Sequence, residues 1–170
     1  SVPSAPFDQV RPIIEKDLGP IDEKFDNIDP NSISGASLGQ VYRGTISGQQ
    51  IVVKVKRPGI EKVIAKDLQV LKKVLPLALR FVDPNLRYSA KAMLSQFIET
   101  IHEEMDYKNE LQNLKRIKED MAGSTNVIVP LVYDDYSSKN ILLLKLFQRK
   151  LSILNILLMY QNSFCYYAFI

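Results

Sequence analysis

Cysteine and histidine are nearly absent from this chain of 170 residues, which has one of each, Cys165 and His102. A lone cysteine forms no internal disulfide, and one cysteine with one histidine excludes Cys/His zinc clusters and argues against a Ser/His/Asp triad. His102 is expected on a helix flank without a chemical task. A basic stripe is also missing: the net charge of +3 is spread along the chain, which argues against nucleic acid as a partner. No secretory signal opens the sequence. It starts at Ser1 rather than methionine, which suggests a fragment or a processed product. From Leu151 to Ile170 no charged residue occurs at all. The apolar and charged fractions, 46% and 24%, are those of an ordinary globular domain with a core.

The most informative stretch is Ser34-Gly35-Ala36-Ser37-Leu38-Gly39-Gln40-Val41, followed by Ile51-Val52-Val53-Lys54-Val55-Lys56-Arg57-Pro58-Gly59. The first part is a variant of the kinase glycine-rich pattern G-x-G-x-x-G-x-V, in which small residues let backbone amides approach phosphates. Ser34 and Ala36 stand where the first two glycines would be, and Gly39 and Val41 keep the third glycine and the valine. The Cβ of Ala36 is expected to stiffen the loop and to alter the pose of a nucleotide there. By itself such a loop is equally well read as a plain hairpin with small residues at its bend. In the second part, period-two alternation puts Val52 and Lys54 on one strand face. The ammonium would meet phosphates while Val52 touches adenine. The competing reading makes Lys54 and Lys56 the solvated face of an edge strand.

These residues resemble the UbiB, or aarF-domain, atypical kinase-like family, with its alanine-rich A-A-A-S-I/L-G-Q-V-H loop and V-A-V-K-V-Q-R-P-G-I strand. A third match follows, since Glu104-Met105-Asp106-Tyr107-Lys108-Asn109-Glu110-Leu111-Gln112-Asn113 is similar to the family's E-x-D-Y/F-x-x-E-A-x-N helix. The resemblance runs from about Pro6 to about Leu144. It implies an α+β kinase-type small lobe with an antiparallel sheet of about five strands and enlarged long helices, the large lobe being absent. It implies that Lys54 binds phosphates, that Glu110 is its ion-pair partner, and that Ser34, Gly35, Ala36, Ser37, Leu38, Gly39, Gln40, Val41, Val52 and Lys54 form the nucleotide site. Glu104 and Asp106 match the family's acidic pair, which in relatives meets a K-x-G-Q segment that would lie upstream of Ser1. ATP and magnesium are the implied cofactors, and ubiquinone-type quinone biosynthesis and lipid handling at membranes are the implied setting. The expected localisation is cytoplasmic, with membrane association.

Helical and strand patterns fill in the rest. A helix is expected from about Pro6 to Leu18, ending at Gly19, with Phe7, Val10, Ile14 and Leu18 on one side. The triplet Asp17-Leu18-Gly19 reads as that helix's end rather than as a magnesium-binding motif. Asp29-Pro30-Asn31 breaks into the strands, and Ser47-Gly48 turns into the lysine strand. A helix from about Ile60 to Phe81 carries Val63, Ile64, Leu68, Leu71, Val74 and Leu75, with Pro76 expected to kink or split it. A third, from about Ser89 to Met121, places Phe97, Ile98, Ile101, Met105, Leu111, Leu114 and Ile117 inward. On one continuous helix, positions six apart lie about 120° from each other, so Glu104 and Glu110 would serve different partners. The plainer alternative pairs Glu104 with Lys108 at i,i+4. Strands follow at Val127 to Tyr133 and Asn140 to Phe147.

Beyond Leu144 the sequence leaves the family pattern, giving Lys145-Leu146-Phe147-Gln148-Arg149-Lys150 where a hinge is expected. The catalytic aspartate and Asp-Phe-Gly that phosphoryl transfer needs are not found after it. The expected organisation is a small lobe over residues 1–150 and an uncharged tail over 151–170. Three readings of that tail stand open: out-of-frame sequence replacing the large lobe, a membrane-contacting helix, or a buried element of a truncated fold. Two functions follow. One is an ATP-binding lobe of an atypical kinase or ATPase, inactive in phosphoryl transfer as this chain alone. The other is a non-catalytic module that binds lipid or a protein partner through exposed apolar surface.

Overall fold

The computed structural model describes residues 4–35, 38–123 and 129–146. The chain opens with α1 (Phe7–Leu18) and a single helical turn, α2 (Ile21–Lys24). Short strands β1 (Asn27–Ile28) and β2 (Ser34–Gly35) lead into the hairpin of β3 (Gly39–Ile46) and β4 (Gln49–Lys56). Next come α3 (Ile60–Ala78), α4 (Pro84–Glu104), α5 (Tyr107–Asp120) and β5 (Ile141–Lys145). All five strands form one antiparallel sheet in the order β1-β3-β4-β5, with β2 also paired to β3. The fold is α+β, as expected.

The hairpin turns at Ser47 and Gly48, whose φ angles of 49° and 72° are those of a two-residue turn matched to strand twist. Its register pairs Val41 with Lys54 and Tyr42 with Val53, and Lys54 in turn faces Leu142 on β5. Strand alternation therefore divides the sheet into two faces. Tyr42, Ile51, Val53, Val55, Ile141 and Leu143 pack with Val10 and Ile14 of α1 in one buried cluster. Leu142 and Leu144 face the other way and pack with Tyr107, Leu111 and Leu114 of α5. The sheet is thus covered by α1 on one side and α5 on the other, and Lys54 belongs to the α5 side.

Several expectations are corrected. The single helix over 89–121 is two helices, broken at Met105 and Asp106, because the Asp106 carboxylate accepts from the Lys108 amide at 3.0 Å and caps α5. Glu104 and Glu110 consequently lie on different helices, and so do Glu104 and Lys108, so neither the shared-helix wheel nor the i,i+4 pairing applies. The inward stripe holds only in its second half. Met105, Leu111 and Leu114 are buried, whereas α4 buries no residue and leaves Phe97 exposed. On α3 only Leu68 is buried, while Val63 and Val74 are exposed. Pro76 does not split the helix at its own position: α3 runs on to Ala78 and then tightens into a 3₁₀ turn over Leu79–Phe81. Within its described part, the strand expected over 127–133 is reduced to one bridge, Val132 to Leu144. Pro130, which has no amide proton to give a ladder, stands just before it. Residues 127, 128 and 147 lie outside the described residues, as do Ala36, Ser37 and the whole tail over 151–170.

Candidate functional site

The centre of the site is a lysine that strand pairing cannot leave in solvent. Lys54 sits on β4, between β3 and β5, and its side chain is only 14% exposed. A charge so placed needs a partner. Glu110, one turn into α5, supplies it: Lys54 Nζ donates to Oε2 at 2.7 Å and to Oε1 at 3.0 Å. The same ammonium lies 4.7 Å from the ring centre of Tyr107, within cation–π range. Lys56 is equally withdrawn from solvent, at 4% exposure, and its ammonium bonds Glu61 at 3.0 Å. The solvated-edge reading of the two lysines is therefore excluded. The Lys56 hydrogen bond is the main reason the Glu61 carboxyl sits below its ordinary range.

The position of Glu110 follows from the break at Asp106. Capping restarts the helix at Tyr107, and the Tyr107 amide donates to Lys139 O at 3.2 Å, which ties the start of α5 to the segment before β5. Asp106 is therefore a helix cap, a role the acidic-pair motif did not suggest. Glu104 ends α4 and sits within the field of both Glu110 and Lys54. Partial burial first, and the charge of Glu110 second, raise its carboxyl above the usual carboxylate range, with Lys54 pulling the other way.

The small-residue segment lies alongside. Ser34 and Gly35 pair with Val41 and Gln40, and Leu38 O accepts from the Arg57 amide at 2.9 Å, which fixes the loop to the end of β4. Val41 and Val52 are buried and share the face of Lys54. Gln40 does not. Its side-chain amide donates to Tyr42 Oη at 2.6 Å and to Ala5 O at 3.0 Å, while its Oε1 accepts from the Ala5 amide at 2.7 Å. Its side chain clamps the residue before Pro6, because residue 40 alternates to the α1 face of the sheet.

Tyr107 is the residue to which the sequence assigned no task. It is 1% exposed, its hydroxyl has no hydrogen-bond partner among the described residues, and burial raises that hydroxyl's pKa first, with Glu110 and Glu104 adding to the rise. The Y/F position of the motif marked it, although nothing in the spacing showed what it touches. His102, as expected, lies exposed in the last turn of α4.

A strand lysine paired with a helix carboxylate, on a sheet next to a small-residue segment, is the arrangement of a kinase-type small lobe. The family model described as "ABC1 atypical kinase-like domain" matches residues 1–157, and the chain belongs to that family. A probable protein kinase UbiB of Marinobacter nauticus is 35% identical over 146 residues, covering 85% of this chain and 27% of the relative. The chloroplastic protein ACTIVITY OF BC1 COMPLEX KINASE 3 of Arabidopsis thaliana is 33% identical over 145 residues, covering 84% of this chain and 20% of the relative. The chain thus spans well under half the length of these relatives. Among solved structures, the Rv3197–erythromycin complex from Mycobacterium tuberculosis shares the fold, with a TM-score of 0.71 at 22% identity over 86% of this chain and 37% of that one.

Magnesium is a ligand that the kinase likeness implies. Among the described residues no three His, Cys, Asp or Glu side chains stand together to hold a metal ion, and both Glu110 oxygens are engaged by Lys54. Among the same residues no helix is long and apolar enough to cross a membrane.

Proposed function

We propose that this chain is the ATP-binding small lobe of a UbiB-like atypical kinase or ATPase that serves ubiquinone-type quinone biosynthesis. The observation that carries the reading is the bidentate Lys54–Glu110 pair, held at 2.7 and 3.0 Å on the sheet face shared with Val41 and Val52. On this reading the Lys54 ammonium binds phosphate oxygens and Glu110 keeps it aimed, which pre-pays the ordering of a long flexible side chain. Val41 and Val52 offer an apolar lid to the adenine. The valine at 52 is bulkier than the alanine usual in kinases, which narrows that space. Backbone amides of the 34–41 segment approach the phosphates. The chain by itself binds nucleotide without transferring phosphate, since the acid–base and metal-binding groups of the reaction are not among these residues.

The test is thermal unfolding with and without ATP. At a ligand concentration about a hundredfold above Kd, stabilisation of the wild-type chain by on the order of 5–10 °C is expected. Lys54→Ala removes it. Equal melting temperatures with and without saturating ATP in the wild type would refute the reading.

A second reading has its own support in α3 and α4. Phe81 is 93% exposed, Tyr88 78% and Met93 73%, with Leu77 and Leu86 also bare. Between Leu68 and Ile98 five basic residues face a single acid, Asp83. Exposed aromatic and apolar groups on a positively charged corner suit a surface of anionic lipid. On this reading the module associates with membranes through that corner. Co-sedimentation with phosphatidylglycerol vesicles, lost in Phe81→Ser/Tyr88→Ser and absent with phosphatidylcholine, is the expected result.

A further inference from the structure

Gly39 has the ordinary negative φ of a strand, so its backbone would accept any residue. Its surroundings would not. A Cβ built on residue 39 overlaps the Tyr107 hydroxyl oxygen and comes within 3.0 Å of Val55 O. The hydroxyl that occupies this space is buried, and among the described residues it has no hydrogen-bond partner. The ring that carries it holds the Lys54 ammonium 4.7 Å from its centre. Three residues further along the same helix turn, Glu110 grips that ammonium from another side.

We propose that Tyr107 is a positioning residue that locks three parts of the site together: its hydroxyl wedges against Gly39 of the small-residue loop, and its ring steadies Lys54 beside Glu110. The loop's third glycine is then required by the tyrosine oxygen beneath it rather than by a phosphate above it. A shift of the α5 N-terminus then carries Gly39 and Lys54 along with it. The proposal assigns this coupling to the site read above as nucleotide-binding, and rests on that reading only for its functional meaning.

A double-mutant cycle on the whole chain tests the wedge. Gly39→Ala should lower the melting temperature by several degrees. Tyr107→Phe, which removes an unpartnered hydroxyl and keeps the ring, should change it little, and the double variant should recover most of the Gly39→Ala loss. If Gly39→Ala fails to fold, a folded double variant supports the wedge, and an unfolded double variant beside a folded Tyr107→Phe overturns it. Equal losses in both backgrounds, or no loss from Gly39→Ala, also overturn it. The ring's part is read by NMR of the Lys54 ε-methylene protons, shifted upfield by the ring in the wild type and in Tyr107→Phe and relaxed toward the free-lysine value in Tyr107→Leu. Identical shifts in all three would remove the lysine from the proposal. Neither measurement uses ATP, so a wild-type chain that shows the coupling but binds no nucleotide would refute the nucleotide reading alone.

Discussion

Lys54, Glu110 and Glu104 form an unequal triad in which one cation is shared by one committed carboxylate and one that is only nearby. Because the Glu104 pKa is raised in the folded chain, folding favours its protonated form. The sign follows from proton linkage. Below the ordinary glutamate range Glu104 is neutral in both states and contributes no difference. As pH rises through that range toward the raised folded value, the unfolded chain ionises first and stability is lost. Glu104→Gln should therefore be more stable than the wild type at neutral pH and equal to it in acid, a difference readable from urea midpoints at pH 7 and pH 4. Glu61 shows the opposite sign. Its folded pKa is lowered chiefly by Lys56, so its stabilisation holds above the ordinary glutamate value and fades as pH falls through the lower folded one. Of these residues, Lys54 was legible because strand alternation and family resemblance agree on it, and Glu110 through the family resemblance alone. Tyr107 was not, since its meaning depends on Gly39 lying over it across a sequence gap of 68 positions.

The helix break at Asp106 is what brings Tyr107 and Glu110 to the lysine strand. The apolar pattern runs on through Ile101, Met105, Leu111 and Leu114 with near-helical spacing, so periodicity alone joins α4 to α5. The capping signal at Asp106 was present but was absorbed into the acidic-pair reading. Asp106→Ala should cost on the order of 1 kcal/mol of stability through the lost cap and should loosen Glu110, whereas Asp106→Ser, which still caps, should recover most of both. Chemical unfolding gives the first quantity, and the line width of the Lys54 ε-methylene resonance the second. For α3 and α4 the periodicity located the helices correctly but could not say what covers their stripes. Ile64, Leu71 and Leu75 are half-buried while Val63, Val70 and Val74 lie open. A pattern of apolar residues states a helix's preference for a partner, not the partner's presence.

At the scale of the whole molecule, the sheet is the stable frame and the two helical faces divide the work. The centres of its core strands are buried, with Ile51, Val53, Val55, Ile141, Leu142 and Leu143 at 0% exposure. Leu142 joins the sheet to the α5 cluster directly opposite Lys54. Leu142→Ala should therefore cost about 2–5 kcal/mol and weaken nucleotide binding along with stability, while an equivalent cut on the α1 side, Leu143→Ala, should cost stability alone. The five-strand antiparallel plan and the kinase-type order of loop, lysine strand and glutamate helix were readable in the sequence. The strand expected over 127–133 is, within its described part, only a bridge at Val132, and Pro130 has no amide proton to give a ladder there.

The central claim is that the Lys54 ammonium, held by Glu110, meets the phosphates of a bound nucleotide. Calorimetric titration of ATP into the wild-type chain and into Lys54→Met, with circular dichroism confirming that both are folded, addresses it directly. Saturable binding in the wild type, weakened at least about tenfold in Lys54→Met, a difference of about 1.4 kcal/mol, is the predicted outcome. Equal affinities in two folded proteins, or no binding to either, would contradict it.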